Sequence, residues 1–158
     1  MPLERGVVRA TTLAEPALKN VSLWAERKQV RLVSQCDAGD LRVIADQSLT
    51  MRVLTNLLSN AIQASSAGTT VTVRMASHNN DVVAFCVMDQ GAGIPKEWAN
   101  RVFDKFGQVE AREAGGAVGY GLGLTFCRNA VQAQGGSISL ASETGRGTTV
   151  TFAFPAAR

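Results

Sequence analysis

An apolar run that ends in a carboxylate and two alternating glycines constrains this sequence more than any other feature. Val82–Met88 contains no charged residue, and Asp89 follows directly, with Gly91 and Gly93 close behind. Glycine adopts positive φ and aspartate favours turns, so the block could be a plain turn after a buried strand. A carboxylate at the end of such a run is partly desolvated, however, and needs a donor such as the exocyclic amine of adenine.

A second block is a helix with paired amides. Asp46–Ala64 carries its apolar residues on one stripe, which predicts the most regular helix of the chain, with Asp46 or Ser48 as its N-cap. Asn56 and Asn60 lie four residues apart, so their amides project from the same face. They could mark the edge of the buried stripe, or they could supply oxygens to a hard cation such as Mg²⁺. The pair alone leaves both interpretations open.

A third block is the glycine cluster GYGLGL at residues 119–124, which precedes a predicted helix over residues 122–134. Its G-x-G-x-G spacing follows a long loop instead of a first strand, so it does not fit a Rossmann dinucleotide fingerprint. Glycine-rich backbone at a helix N-terminus can bind anionic phosphate through its free N–H groups. A purely structural turn could have the same composition.

The remaining pattern predicts one domain in which helices and strands share a core. The chain has 158 residues and 46% hydrophobic content, which suffices for a single core. Besides the elements above, the periodicity predicts a helix over residues 15–28, strands over 30–36 and 41–45 joined by a hairpin-like turn at 37–40, strands over 69–76 and 82–88 joined by a polar turn, a short helix over 95–102, a glycine-containing loop over 107–119, and final strands over 137–142 and 148–154.

Composition argues against several classes of protein. The net charge is only +3 and the basic residues are scattered, so nucleic-acid binding is not indicated. Cys36, Cys86 and Cys127 are far apart, which argues against a disulfide framework and against a zinc site. No apolar run reaches eighteen residues and no signal core opens the chain, so we expect a cytoplasmic domain without direct membrane contact, although a longer parent protein could be membrane-anchored.

Taken in order, the blocks resemble the ATP-binding catalytic (HATPase_c) domain of sensor histidine kinases, within the GHKL superfamily of gyrase, Hsp90, histidine kinase and MutL ATPases. Residues 56–64 resemble its N box, 89–94 its first glycine box, 102–106 its phenylalanine box and 119–124 its second glycine box. The resemblance implies an α+β fold, a two-layer α/β sandwich of the Bergerat type, with a mixed sheet of about five strands covered on one face by three helices. It also implies that residues 13–158 form the catalytic domain and that residues 1–12 lead from a dimerisation domain.

The resemblance further implies a role for each block. Asn60 would ligate Mg²⁺, Asn56 and Lys105 would complete the catalytic set, Asp89 would bind the adenine amine, and residues 107–119 would form the ATP lid. Contact with the nucleotide is implied for Asn60, Asp89, Gly91, Gly93, Ile94, Phe103, Phe106, Gly119, Gly121, Leu122, Gly123, Leu124 and Thr149. Two positions depart from the family pattern: Gln63 stands where a basic residue is common, and Tyr120 where a small hydroxyl residue is usual.

The implied reaction is transfer of the γ-phosphoryl group of Mg-ATP to a histidine on a separate dimerisation domain, for relay to a response regulator aspartate in a two-component system. His78, the single histidine, falls in a predicted polar turn, so we expect no phosphoacceptor in this chain, which would be a monomeric part of a larger kinase. Two alternatives stand beside this interpretation. A degenerate docking module is suggested by Gln63 and Tyr120, whereas a related ATPase or anti-sigma serine kinase usually has a glutamate base where this chain has Asn56.

Overall fold

The computed structural model describes residues 2–99, 103 and 123–157. Its elements in chain order are β1 (Arg5–Arg9), α1 (Ala10–Lys28), β2 (Arg31–Cys36), β3 (Arg42–Asp46), α2 (Gln47–Ala64), β4 (Thr70–His78), β5 (Val82–Met88), α3 (Lys96–Ala99), α4 (Leu124–Ala133), β6 (Ser137–Glu143) and β7 (Gly147–Pro155). None of the helices in these ranges is long and apolar enough to cross a membrane.

Five strands form one mixed sheet in the order β2-β4-β5-β7-β6. Strand β2 runs parallel to β4, and the other neighbours are antiparallel. The buried positions of α1, α2 and α4 join those of the sheet in a single hydrophobic core. The predicted two-layer α+β fold, with three helices over a five-stranded mixed sheet, is confirmed.

The centre of the core is a row of alternate residues on β5. Val83, Phe85 and Val87 are buried and pair with buried residues of β7. The ring of Phe85 stacks on that of Phe152 with centroids 4.9 Å apart. Successive strand residues point to opposite faces, so Asp89 falls on the helix-covered face two residues beyond Val87. The sheet thus delivers a carboxylate to the edge of the helix layer.

Two sequence predictions at the start of the chain are wrong. The strands on either side of residues 37–40 do not form a hairpin, because β2 pairs with β4 and β3 pairs antiparallel with β1. Helix α1 begins at Ala10 and not at residue 15, with Pro16 inside it. Ala10 and Leu13 are fully buried, so contacts with the rest of the fold extend the helix beyond its local signal.

Helix α2 is held at its N-terminus by two side chains. Asp46 accepts a hydrogen bond at Oδ1 from the N–H of Leu49 at 3.0 Å, which makes Asp46, and not Ser48, the N-cap. The buried amide of Gln134 accepts from the N–H of Asp46 at 2.7 Å and donates to the carbonyl of Ala130 at 3.1 Å. The end of α4 is therefore tied to the start of α2.

The opposite end of α2 is capped from α1. The last turn of α2 contains no basic residue. Instead, Nζ of Lys28 donates to the carbonyls of Ile62 and Gln63 at 2.8 Å and 2.7 Å. A cation is favourable there because the C-terminal end of a helix carries partial negative charge.

We expect Asp46→Ala to destabilise the domain by about 1 kcal/mol at neutral pH, because the N-cap hydrogen bond is lost. Hydrogen bonds from the N–H of Leu49, and then from that of Glu4, lower the pKa of Asp46. A lowered folded-state pKa gives stabilisation that is present above the unfolded-state pKa and is lost as the pH falls through the folded-state pKa. Urea denaturation at neutral and acidic pH measures both effects, with Ser48→Ala as the control. An equal loss for Asp46→Ala at both pH values would contradict the role of the charge.

Candidate functional site

Asn60 on α2 is a buried polar side chain whose amide nitrogen has no hydrogen-bond partner among the described residues. The residue is 5% exposed. An unsatisfied buried donor costs about 1–3 kcal/mol, so such groups in folded proteins usually face a ligand or water. A half-turn of the amide would exchange its oxygen and nitrogen, and either atom could then face a bound group. With the amide turned so that its oxygen takes this position, Asn60 fits the Mg²⁺-binding role that the family resemblance implies.

Asp89 is 7% exposed and is held by backbone donors. Its Oδ1 accepts from the N–H of Gly91 at 2.9 Å and from the N–H of Thr148 at 3.2 Å. Burial raises the pKa of the Asp89 carboxyl above its ordinary value, although these two N–H groups oppose the shift. The carboxylate is therefore oriented by its own backbone before any ligand binds.

Gly91 and Gly93 hold the loop after β5 tightly against neighbouring backbone. A Cβ on Gly91 would lie 2.5 Å from the carbonyl oxygen of Ala64, the last residue of α2. A Cβ on Gly93, where φ is +79°, would lie 2.4 Å from the carbonyl oxygen of Glu143. These contacts give the two glycines a packing role that the sequence did not indicate. Their contact with the nucleotide, which the family resemblance implies, stays a prediction.

Ile94, the last residue of the first glycine box, is buried. Its side chain is 1% exposed and belongs to the hydrophobic core. Its N–H donates to Oγ of Ser142 at 2.6 Å, and that hydroxyl lies 2.9 Å from Oγ1 of Thr148. The first glycine box is thus joined to the β6–β7 hairpin by hydrogen bonds as well as by close packing.

Sequence reasoning selected Thr149 and missed Thr148. Thr149 pairs with Met88 on β5. Thr148 is buried. Its carbonyl oxygen accepts from the N–H of Asp89 at 2.9 Å, and its own N–H donates to Oδ1 of the Asp89 carboxylate. Alternation along β7 places Thr148 on the same face as Val150, the face of Asp89, and turns Thr149 to the other face. That alternation was visible in the sequence and could have identified Thr148.

The start of α4 meets the N box. Gly123 is the N-cap of α4 with φ +113°, and a Cβ there would lie 3.4 Å from the amide carbon of Asn56. Leu124 is fully buried, and Oγ1 of Thr125 donates to the carbonyl of Phe103 at 2.9 Å. Phe103 itself is partly buried against the core. The side chain of Asn56 therefore lies beside the N-terminal end of α4, where the first N–H groups of a helix have no partner within the helix.

Asn56 also lies against a buried thiol. Burial raises the pKa of Cys127 to about 12, and a hydrogen bond with Asn56 partly offsets that increase. The sulfur lies 3.8 Å from the carbonyl oxygen of Val53. Cys127 is therefore a neutral packing residue between α2 and α4, and the polar partner on this side of the site is the amide of Asn56.

The structure brings together some of the residues selected from the sequence. Asn56 lies beside Gly123 at the start of α4, Asn60 lies one turn further along α2, and Gly91 packs the loop that follows Asp89 against Ala64, the last residue of α2. Gln63 is exposed on the last turn of α2. His78 is exposed as the last residue of β4, so the prediction that it lies in the turn is wrong by one residue, because its pairing with Val82 extends the strand. Outside the described residues lie Lys105, Phe106, Gly119, Tyr120, Gly121 and Leu122, together with most of the phenylalanine box and the loop over residues 107–119.

The chain matches a known protein family and a curated relative over most of its length. Residues 45–158 match the family described as "Histidine kinase-, DNA gyrase B-, and HSP90-like ATPase". The sensor histidine kinase WalK of Bacillus subtilis is 36% identical over 131 residues, which are 82% of this chain and 21% of WalK. The chain therefore spans about a fifth of the length of that relative.

Two solved structures share the fold. Full-length ShkA in complex with AMPPNP matches with a TM-score of 0.84 at 24% identity, over 99% of this chain and 32% of ShkA. Histidine kinase ThkA in complex with the response regulator protein TrrA matches with a TM-score of 0.81 at 24% identity, over 98% of this chain and 42% of that one. At this identity the two likenesses show the fold alone.

Proposed function

Because this chain belongs to the histidine kinase-, DNA gyrase B- and HSP90-like ATPase family, we propose that it binds Mg-ATP and donates the γ-phosphoryl group to a histidine on a separate dimerisation domain. The observation that carries the proposal is the buried amide nitrogen of Asn60, which has no hydrogen-bond partner in the part of the chain that the structure describes. Asn60 is on the same helix face as Asn56 and one turn from the end of α2 that contacts the Asp89 loop. Residues 13–158 would form the catalytic unit of a longer kinase.

The base would bind at the Asp89 end. Adenine offers an exocyclic amine donor, and Asp89 offers a carboxylate that Gly91 and Thr148 already orient. A charge-assisted hydrogen bond in a buried setting is worth more than one in water. Ile94 and Thr148 would then form walls of the base pocket, and Thr149 lines a cavity of about 320 Å³ together with Asp89 and Thr148.

The phosphates would bind where α2 meets the start of α4. Asn60 would hold Mg²⁺ through its amide oxygen, and the ion would neutralise phosphate charge when bound. Asn56 and the first N–H groups of α4, which have no partner within the helix, offer further donors to anionic oxygens. Lys105 is proposed as a cation for the same end.

The proposed transfer breaks the bond between the γ-phosphorus and the oxygen bridging it to ADP, and it forms a phosphorus–nitrogen bond on the acceptor imidazole, whose proton passes to solvent. His78 is exposed at the far end of β4 from the Asp89 loop, so the acceptor belongs to a partner domain. Asparagine at position 56 cannot take a proton from water or serine, which favours histidine transfer over hydrolysis. A response regulator would be the next acceptor, in line with the ThkA–TrrA complex.

Replacing Asn60 tests the metal and nucleotide site. We expect the wild-type chain to bind AMPPNP more tightly with Mg²⁺ than without it, and Asn60→Ala to lose at least about tenfold in the presence of Mg²⁺ and little in its absence, because an ion ligand is removed. Isothermal titration calorimetry measures this, with Asn129→Ala, an exposed asparagine on α4, as the control. The same loss with and without Mg²⁺ would exclude Asn60 as the metal ligand.

Phosphotransfer needs a supplied acceptor. Incubating the chain with γ-labelled ATP and a histidine-bearing dimerisation domain should place acid-labile label on that domain and none on His78. Nucleotide binding without any transfer would instead support the degenerate docking module. A wild-type chain that is folded and binds no nucleotide would overturn the proposal as a whole.

A further inference from the structure

Arg52 continues the polar face of α2 beyond the two asparagines. It lies four residues before Asn56 and eight before Asn60, so the three side chains share one face of the helix. Arg52 is also the single charged residue within Gln47–Ala64. A groove of about 360 Å³ is lined by both Arg52 and Asn56, which confirms that they border the same space.

An aromatic ring on α4 fixes the position of the Arg52 guanidinium. Its Cζ lies 4.5 Å from the centroid of the Phe126 ring, and Phe126 is in the first turn of α4. Such stacking holds a guanidinium in place while leaving its N–H groups available. Arg52 is therefore held beside the N-terminal end of α4, where Gly123 is the N-cap and Asn56 lies nearby.

No carboxylate of the described residues forms an ion pair with Arg52. Glu4 and Asp46 line the neighbouring groove with it, but the Asp46 carboxylate accepts hydrogen bonds from the N–H groups of Leu49 and Glu4. A stacked arginine that makes no ion pair with these neighbours retains its donors for another anion.

The direction of α2 indicates which part of a bound nucleotide would lie nearest to Arg52. Asp89 and Gly91 mark the C-terminal end of α2 as the base end, because Gly91 packs on the carbonyl of Ala64. A nucleotide that extends from there along the polar face passes Asn60 first and then Asn56. Arg52 is the third residue along this path, and it provides the positive charge on this face of α2.

We propose that Arg52 contacts the terminal phosphoryl group and makes the site select a nucleoside triphosphate over a diphosphate. This inference rests on the proposed function, since it deepens the assignment of the phosphate end. Phe126 would then be a positioning residue, because its ring would orient the Arg52 guanidinium without touching the nucleotide.

The test compares AMPPNP with ADP by calorimetry, at a temperature where every variant is folded. We expect Arg52→Gln to weaken AMPPNP binding about tenfold and to leave ADP binding within about twofold of the wild type, since one charge-assisted contact to one phosphoryl group is lost. Arg52→Lys should recover part of the loss, because it restores the charge without the planar stacking. Phe126→Leu should also lower the AMPPNP-to-ADP preference.

Arg27→Gln is the matched control, because Arg27 is exposed in the last turn of α1, and it should change neither affinity. Equal losses for AMPPNP and ADP in Arg52→Gln, or no loss for either, would overturn the inference while wild-type binding left the proposed function standing. A wild-type chain that binds neither ligand would instead overturn the proposed function itself.

Discussion

Replacing Asp89 with asparagine should weaken ATP binding by about 1.5–3 kcal/mol, roughly ten- to a hundredfold, while the domain stays folded. Oδ1 of Asp89 already accepts from the N–H groups of Gly91 and Thr148. An asparagine that keeps these bonds must place its NH₂ group at the other oxygen's position. Two donors, the new NH₂ and the adenine amine, would then face each other.

The same variant should be at least as stable as the wild type at neutral pH. Burial raises the pKa of Asp89, so the folded state disfavours its charge relative to the unfolded state. This cost is present above the folded-state pKa and disappears as the pH falls through it, so the advantage of Asp89→Asn should shrink in acid.

Calorimetry with AMPPNP and urea denaturation at two pH values separate the two effects. Asp40→Asn, the same change at an exposed position, should leave affinity unchanged. Unchanged affinity in Asp89→Asn would exclude the adenine assignment. Loss of both affinity and stability would mean that Asp89 is mainly a structural residue.

Replacing Gly147 with alanine should destabilise the domain by about 3 kcal/mol or more, from positive-φ strain and overpacking together. Gly147 has a φ of +105°, and an added Cβ would lie 2.1 Å from the carbonyl oxygen of Asp89. Backbone atoms on both sides must shift to relieve this contact. Any folded Gly147→Ala protein should therefore also bind nucleotide more weakly, because the displaced carbonyl belongs to Asp89.

Gly145 offers a matched control in the same turn. Its φ is +82°, and an added Cβ would find no atom within 4 Å. Gly145→Ala should therefore cost only the positive-φ term, about 1–2 kcal/mol. Urea denaturation of both variants measures the difference. Equal destabilisation would show that the close contact with Asp89 contributes nothing.

Features that depend on short stretches of chain were predictable from the sequence. The stripe of α2 is set by spacing within a few residues, and the structure confirms it. The same spacing offered Asp46 or Ser48 as the N-cap, and the structure selects Asp46. Asp89 was placed at the end of β5 because its apolar run is continuous. The order of the blocks was sufficient to identify the family, since residues 45–158 match it.

Features that depend on partners distant in sequence were not predictable. Strand β3 pairs with β1, which no local pattern in RGVVR indicated. Lys28 caps α2 from a neighbouring helix, and this contact was also missed. The packing roles of Gly91 and Gly147 arise from carbonyls elsewhere in the fold.

The sequence by itself determined the family, the helix that carries the two asparagines and the strand that presents Asp89, because periodicity and capping act between residues that are close along the chain. Only the tertiary structure decided that Thr148 hydrogen-bonds to Asp89, that the buried amide nitrogen of Asn60 has no partner among the described residues, and that Arg52 stacks on Phe126. Those facts depend on how strands and helices are arranged against one another, and burial and close packing between distant segments fix that arrangement.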